Sequence, residues 1–346
     1  MSSAPPGKVT SFDIAYLAGV SQPTVSRALR GDRAVSPATR EKIQRIAREL
    51  NYTVDKNASS LRTQRSNTLA LLFFEEPAPD DSRINPFFLT MLGSITRAAS
   101  ARGFDLLVSF QRLEDDWHTR YEDSHRADGL ILLGYGDNTL YERRLEQLTQ
   151  QGSHYVRWGP VEEPGSGAVI GSDNHAAGRA VGEHLLAVEC RRIVFLGQAD
   201  ASYPEFRARY AGLASAVAEQ TANAQVWQQD ALNSEEEGFA AMAAVLKSER
   251  TVDAVFAGSD TIAIGAMRAV SQAGLRVPQD IAVVGFDNIP VSALLSPALT
   301  TVTQDTSRAA EELVEALVRQ IGGGAGETLV LPTRLVARAS TARPPA

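Results

Sequence analysis

Two different hydrophobic patterns divide the chain. Over roughly the first 50 residues, apolar positions such as Val25, Ala28 and Leu29 recur at the spacing of short amphipathic helices. From Thr68 onward, continuous apolar runs such as TLALLFF alternate with longer helical patterns. A continuous apolar run is typical of a strand that is covered on both faces. The pattern therefore predicts a small helical head followed by a larger body of alternating strands and helices.

Capping residues delimit three predicted helices in the head. Thr10 with Asp13 three residues later resembles a capping box with Asp in place of Glu or Gln. Gly19 supplies the left-handed residue that commonly ends a helix. Ser21 is placed to begin a second helix, and Ser36 to begin a third. Two short helices joined by a turn that contains glycine predict a helix-turn-helix.

The start of the second helix is the part of such a motif that enters the major groove of DNA. Gln pairs with adenine, and Arg with guanine, through two hydrogen bonds each. The sequence therefore predicts base reading by this helix. The alternative is an ordinary three-helix cap whose polar side chains face water. The candidate residues are Gln22, Pro23, Thr24, Ser26 and Arg27.

The body pattern predicts an α/β fold with parallel sheets, because apolar strands alternate with helices along it. The apolar runs are too many for one small sheet, so we expect two lobes. The stretch GPVEEPGSG, residues 159–167, interrupts the middle of the body and is interpreted as one crossing between the lobes.

Ligands of open parallel sheets bind beyond the carboxyl ends of the strands. In this chain the residues at those ends combine charged or polar side chains with aromatic ones. Such a mixture suits a polyhydroxylated ligand, because hydroxyls pair with the polar groups and the C–H face of a sugar stacks on a ring. The candidates are Phe87, Arg157, Trp158, Tyr203, Glu205, Ser259 and Asp287.

Charge is distributed unevenly between head and body. The net charge is −7, yet residues 1–65 contain eleven Lys and Arg against five Asp and Glu, a balance of +6 that leaves −13 for the remainder. A basic head on an acidic body indicates a polyanionic partner for the head alone. The single cysteine, Cys190, excludes an intramolecular disulfide and a cysteine-based metal cluster.

Several functional classes lack their sequence signals. The N-terminus has no apolar segment of the kind a signal peptide needs, and no run reaches the roughly 18 apolar residues of a membrane span, so a cytoplasmic location is expected. The five histidines show no metal-binding spacing, and no hydrolase elbow or Walker loop is present. We therefore expect a protein that is not an enzyme and has no cofactor. A non-regulatory sugar-binding protein is the rival class.

The stretch VTSFDIAYLAGVSQPTVSRALRGDRAVSPATREKI, continued through ELNYTVDKNASSLRT, resembles the headpiece of the lactose-repressor (LacI/GalR) family of bacterial transcription regulators, and the rest of the chain continues the resemblance. The resemblance implies that Gln22 and Pro23 select the operator and that Arg27 reads a base. It also implies a hinge over residues 54–66, in which Ala58 packs closely and Leu61 wedges into the minor groove. The positions that match contacts to the phosphate backbone are Ser21, Thr24, Ser36, Thr39 and Tyr52.

The resemblance also implies a two-lobed body like that of periplasmic sugar-binding proteins, an effector between the lobes, and a homodimer on a near-palindromic operator. Arg209 and Asp287 match effector contacts. Arg157 stands where many members have an acid, which leaves an anionic or phosphorylated sugar open as the alternative effector. We expect the headpiece over residues 1–53, the first lobe over residues 67–162 and 297–323, and the second lobe over residues 163–296 and 324–342.

Overall fold

The computed structural model divides into two compact units, Met1–Ser66 and Asn67–Ala346, which are here called the headpiece and the body and are described separately. The structure describes residues 9–29, 31–52, 65–74, 84–112, 115–134, 138–161, 167–220 and 223–342.

The headpiece is a bundle of short helices around one apolar core. Ile14, Val25 and Ile43 come from three different helices and are completely buried together. The apolar positions that recur at helical spacing in the sequence are the buried ones, because each helix turns one apolar stripe inward. The helices are α1 (Ser11–Ala18), α2 (Gln22–Leu29) and α3 (Pro37–Glu49).

The body contains two six-stranded sheets, which confirms the predicted α/β fold. The strands are β1 (Thr68–Phe74), β2 (Asp105–Gln111), β3 (Leu130–Leu133), β4 (Tyr155–Trp158), β5 (Ala168–Ser172), β6 (Arg192–Leu196), β7 (Gln225–Gln229), β8 (Ala254–Ala257), β9 (Ala282–Asp287), β10 (Thr300–Gln304), β11 (Leu329–Leu331) and β12 (Thr333–Val336). Their order is β11-β5-β4-β3-β1-β2 in the first lobe and β12-β10-β9-β8-β6-β7 in the second. Strand β12 runs antiparallel to β10, whereas the other pairings are parallel.

Helices cover both faces of each sheet, as parallel strands require. In the first lobe, α4 and α10 lie on one face, and α5 with the π-helical turn His118–Asp123 lies on the other. In the second lobe, α8 and α9 oppose α6 and α7. The short 3-10 turns Pro290–Ala293 and Ala339–Thr341 complete the body. The helices are α4 (Pro86–Ala101), α5 (Asn138–Gln150), α6 (Asn174–Ala187), α7 (Pro204–Gln220), α8 (Glu235–Lys247), α9 (Asp260–Gln272) and α10 (Thr306–Ile321).

Strand pairing corrects the expected crossing points between the lobes. Strand β5 pairs with β4 in the first sheet, so the chain leaves the first lobe after Ser172 rather than at 162/163. Strand β10 pairs with β9 in the second sheet, so the return follows Gln304 rather than 296/297. Strands β11 and β12 belong to different sheets, so the last crossing is at Pro332 rather than 323/324. The stretch of residues 159–167 that suggested a crossing instead connects β4 and β5 within the first lobe.

Within the described ranges, no helix has both the length and the apolar character that crossing a membrane requires.

Candidate functional site

Helix α1 of the headpiece begins and ends as its sequence predicts. The backbone N–H of Thr10 donates to the Asp13 carboxylate over 2.8 Å, and the N–H of Asp13 donates back to the Thr10 hydroxyl over 3.4 Å. Gly19 closes the helix in the left-handed conformation, with φ of 68°. The turn that follows directs the chain into α2, so local capping fixes the start of the second helix.

Helix α2 exposes the side chains predicted to read DNA. Val25 and Ala28 face the core and are buried, whereas Pro23 and Arg27 are exposed and Thr24 and Ser26 are half-buried. The Gln22 amide donates to the Ser11 hydroxyl over 3.1 Å, which holds it against α1. The first turn and a half of α2 is therefore a polar surface with a fixed glutamine and an exposed arginine.

Four of the five residues predicted to contact phosphates lie at helix starts. The hydroxyls of Ser21 and Thr24 are 2.8 Å apart at the start of α2, and those of Ser36 and Thr39 are 2.8 Å apart at the start of α3. Tyr52 packs against the headpiece core and is half-buried. A helix start with exposed N–H and hydroxyl groups favours a phosphate group. Ala58 and Leu61, predicted for the hinge, lie outside the described residues.

A cleft in the body lies between the lobes, beyond the carboxyl ends of both sheets. The first lobe lines it with Asn85, Phe87, Phe88, Gly134, Trp158, Gly159 and Ser172, and the second lobe with Asn174, Tyr203, Glu205, Phe206, Arg209, Asn233, Ser259, Asp287 and Gln304. All the sequence-predicted effector residues except Arg157 line this cleft. The strand-end rule therefore located the cleft correctly.

Arg209 occupies a fixed position in the second-lobe wall. Its Nε donates to the Asn174 side chain over 2.9 Å, and its Nη1 donates to the Gly258 carbonyl. The guanidinium carbon lies 3.5 Å from the ring centroid of Phe286, which is a cation–π contact. Only 6% of Arg209 is exposed. A cation held from several sides is pre-organised to orient a polar ligand.

Two carboxylates share this wall with Arg209. Asp287 ends β9 with φ of 103°, a conformation that strains any residue with a side chain, and it accepts a hydrogen bond from Gln304 over 2.7 Å. Burial raises the pKa of Asp287 to about 7, although the positive charge of Arg209 acts to lower it. Burial likewise raises the pKa of Glu205 to about 7. Both carboxyl groups therefore face the cleft in an environment that disfavours added negative charge.

The first-lobe wall is mainly aromatic. Phe87 and Trp158 are buried, with ring centroids 6.0 Å apart, and Phe88 lies 5.4 Å from Phe87. The Asn85 side chain accepts from the N–H of Phe87 over 2.9 Å, so the start of α4 fixes these rings. Ser172 adds a hydroxyl that is buried and makes no hydrogen bond with the described residues. This wall offers ring faces with one polar group among them.

The structure does not place Arg157 in the cleft. It is 1% exposed, and its Nη2 lies 3.1 Å from Glu142 on α5, beneath the cleft residue Gly159. The structure therefore does not bring Arg157 together with the other predicted effector residues. The physical reason is strand alternation: β4 turns successive side chains to opposite faces of the sheet, so Trp158 and Arg157 point to different sides.

Several lining residues were missed by sequence reasoning. Ser172 ends β5 and Gln304 ends β10, so the strand-end rule finds them once those two strands are recognised. Asn233 precedes α8 and accepts a hydrogen bond from Ser259, which itself caps α9 by accepting from Ile262 N–H over 3.2 Å. Asn174 is the first residue of α6. These residues could have been found in the sequence from their positions at the ends of strands or the starts of helices, but not from their residue types.

The arrangement is suited to binding a ligand that is polar on one side and apolar on the other. The polar wall provides two carboxylates, one arginine and several amides, and the opposite wall provides ring faces. Among the described residues, no group of three or more His, Cys, Asp or Glu side chains is placed to hold a metal ion. Hydroxyl groups on one edge and a C–H face on the other are the ligand features that these walls complement.

The fold and the two surfaces define a class of protein: a helix-turn-helix that presents a polar helix start, on the same chain as a two-lobed ligand-binding body. Comparison with known families agrees. Residues 12–55 match the model of bacterial regulatory proteins of the lacI family, and residues 183–341 match a periplasmic binding protein-like domain.

Relatives match over nearly the whole chain. The chain is 33% identical over 339 residues to the HTH-type transcriptional regulator CelR of Thermobifida fusca, covering 94% of this chain and 96% of that protein. It is 32% identical over 338 residues to the ribose operon repressor of Halalkalibacterium halodurans, covering 96% and 97%. The chain belongs to the lacI family of bacterial regulatory proteins, and it is a DNA-binding transcription regulator under the control of a small-molecule effector.

Solved structures agree with this assignment. A CelR–cellobiose complex superposes with a TM-score of 0.69 at 31% identity, covering 96% of this chain and 99% of that one. A lac repressor dimer bound to operator and the anti-inducer ONPF superposes with a TM-score of 0.81 at 27% identity, covering 97% and 99%.

Proposed function

We propose that this protein is a repressor that binds a near-palindromic operator as a homodimer and is controlled by a sugar bound between its lobes. The observation that supports the sugar is the cleft itself, which sets a wall of charged and amide groups opposite a wall of aromatic rings. A pyranose has the same two-sided chemistry, with hydroxyls at its edge and C–H groups on its face. The cleft has no proposed catalytic role and needs no cofactor.

On the DNA side, the exposed start of α2 reads bases. Arg27 pairs with a guanine, Gln22 with an adenine, and Pro23 contacts a thymine methyl. Ser26 lies beside them, while Ser21, Thr24, Ser36, Thr39 and Tyr52 hold phosphates. The hinge residues Ala58 and Leu61 follow from the family resemblance alone. Because the partner is chromosomal DNA, the proposal places the protein in the cytoplasm.

The two functions are linked through the body. A ligand that contacts both walls favours the conformation in which the lobes lie closest, because only that conformation makes both sets of contacts. In a homodimer, a shift of one lobe against the other changes the spacing of the two headpieces on DNA. Effector binding and operator binding then affect each other by the same coupling free energy.

The test begins with selection of binding sites from a pool of randomised DNA duplexes by the purified full chain. Fluorescence anisotropy then measures affinity for the selected duplex, with and without cellobiose, the ligand in the related CelR complex. We expect a palindromic consensus and an affinity that changes with the sugar. Failure to enrich any sequence would contradict the proposal.

The variant Arg27→Ala tests whether α2 is the helix that contacts the bases. Loss of one two-bond contact to guanine is expected to cost about 1–3 kcal/mol per half-site and to relax the preference at that base. Arg45→Ala is the matched control, because Arg45 is an exposed arginine of α3 paired with Glu49 and its loss removes the same charge. The control should weaken all DNA binding slightly and leave the sequence preference intact.

A further inference from the structure

The cleft has more negative than positive side chains. Its charged lining residues in the described chain are Glu205, Arg209 and Asp287. A third carboxylate, Asp260, is fully buried just beneath the second-lobe wall, where it accepts hydrogen bonds from Thr301 and from the backbone N–H of Ile289. Arg209 is therefore the one cation that lines the described cleft, and it faces two carboxylates there.

Two nitrogens of Arg209 already donate within the protein. Its Nε donates to Asn174 and its Nη1 to the Gly258 carbonyl, and the guanidinium carbon lies 3.5 Å from the centroid of the Phe286 ring. The other arginine nearby, Arg157, pairs with Glu142 through Nη2, while its buried Nε and Nη1 have no hydrogen-bond partner among the described residues. Because Arg157 is 1% exposed, it does not line the cleft. A phosphate or carboxylate group on a ligand would need a forked cation with its donors turned toward it.

The carboxylates, in contrast, face the cleft with few partners. In the described chain, no other residue donates a hydrogen bond to the Glu205 carboxylate, and Asp287 accepts one, from Gln304. On the opposite wall the buried Ser172 hydroxyl has no hydrogen-bond partner among the described residues. These groups can accept from, or exchange hydrogen bonds with, ligand hydroxyls.

We infer that the effector is an uncharged polyhydroxyl compound and that Glu205, together with Asp287, excludes anionic sugars from the cleft. The inference rests on the proposed sugar-binding function and narrows its ligand class. An anionic ligand would bring a further negative charge beside these carboxylates in a site that excludes water on closure. Its binding would therefore require that one carboxyl group take up a proton, whereas binding of a neutral sugar does not.

Glu205 is the specificity-determining residue in this account. It lies in the first turn of α7, one helical turn before Arg209, so its carboxylate flanks the one cation among the described residues of the cleft. Burial raises the pKa of this carboxyl group to about 7, so it carries its negative charge above that pH. Replacing Glu205 with glutamine keeps the shape and removes the repulsion.

The experiment is calorimetric titration of the full chain with matched pairs of sugars at pH 8.5, where carboxyl groups with a pKa of about 7 are ionised. The pairs are cellobiose with cellobiose 6-phosphate, ribose with ribose 5-phosphate, and glucose with glucose 6-phosphate and glucuronate. We expect the neutral parent to bind at least about tenfold more tightly than its anionic partner. Tighter binding of an anionic member than of its parent overturns the inference and leaves the sugar function standing. If no member of any pair binds, the sugar function fails and the inference fails with it.

Two further measurements assign the effect to Glu205. Glu205→Gln should reduce the neutral-to-anionic affinity ratio at least about threefold, while Glu219→Gln, the same change on the outer face of α7, should not. In the unmodified chain, lowering the pH from 8.5 to 6 should tighten binding of glucuronate more than that of glucose, because glucuronate stays ionised over this range whereas Glu205 and Asp287 take up protons. An unchanged ratio in Glu205→Gln overturns the role of this residue.

Discussion

The two walls of the effector cleft are built by the same sheet topology and yet have different chemistry. The second-lobe wall gathers Arg209, Glu205 and Asp287 at the ends of strands and the start of a helix. The first-lobe wall consists mainly of rings, of which Phe87 and Trp158 also belong to the apolar core of their lobe. One wall is therefore a polar site supported by hydrogen bonds, and the other is an extension of the core to the surface.

The side chains of the two walls are held in position by different kinds of contact. The polar wall depends on long-range contacts, such as Arg209 to Asn174 and Gln304 to Asp287, which join segments far apart in the sequence. The aromatic wall depends on packing and on one local cap, Asn85. We therefore expect polar-wall substitutions to change effector affinity strongly and aromatic-wall substitutions to change it more weakly.

The largest expected effect comes from Arg209→Ala. Loss of a charged donor inside the cleft is expected to cost about 3 kcal/mol of effector binding, or roughly 100-fold in affinity. Operator binding without effector should remain, because the headpiece is unchanged. Calorimetric titration with cellobiose and anisotropy on the selected operator measure the two properties.

Arg157→Ala is the matched control for this prediction. It removes another buried arginine near the carboxyl edge of a sheet, but one that pairs with Glu142 rather than lining the cleft. It should lower the melting temperature and leave effector affinity within a few-fold, once folded protein is compared at low temperature. Equal losses of effector affinity in both variants would show that general destabilisation, not the polar wall, explains the result.

Asp287→Asn should have the second-largest effect. The amide keeps the size of the side chain but exchanges a charged acceptor for a neutral one, which weakens each hydrogen bond by about half. We expect a loss of about tenfold in cellobiose affinity. The melting temperature should rise or stay constant, because a buried carboxyl group with a raised pKa is replaced by a neutral group.

Trp158→Leu tests the aromatic wall and should have a smaller effect. Leucine fills part of the same space but offers no ring face, so roughly 1 kcal/mol of stacking, or about fivefold in affinity, should be lost. The measurement is the same titration with cellobiose. A loss larger than that of Asp287→Asn would reverse the proposed order of the two walls.

The smallest expected effect is a pH dependence of the free energy of unfolding. It should arise in the second lobe. Burial raises the pKa of Asp260 to about 7, and Asp287 and Glu205 shift in the same direction. Because the folded state holds these protons more tightly than the unfolded state, this contribution to the free energy of unfolding is complete below about pH 4 and is lost as the pH rises through about 7. All three groups belong to the second lobe.

We therefore expect the melting temperature to fall by a few degrees, about 2–4 °C, between pH 6 and pH 8. Asp260→Asn should reduce this dependence, since asparagine can still accept from the Ile289 N–H and donate to Thr301. A melting temperature that rises over this interval, or a slope unchanged in the variant, would contradict the assignment.

Local signals in the sequence determined most of the headpiece and the general form of the body. The capping box at Thr10, the glycine turn at Gly19 and the cap at Ser36 are interactions between residues a few positions apart, so they are visible in the sequence and appear in the structure. Alternating strand and helix patterns likewise predicted two parallel α/β lobes, and the strand-end rule located the cleft.

The tertiary structure alone decided which strands join which sheet and which side chains face the cleft. Proline- and glycine-rich stretches mark turns equally well within a lobe and between lobes, so composition could not place the crossings at Ser172, Gln304 and Pro332. Arg157 and Trp158 are neighbours in sequence, and only the pairing of β4 within its sheet determines that the tryptophan faces the cleft and the arginine pairs with Glu142. The physical reason is that side-chain direction in a strand follows from register and from what covers each face, and both are set by contacts between residues distant in the chain.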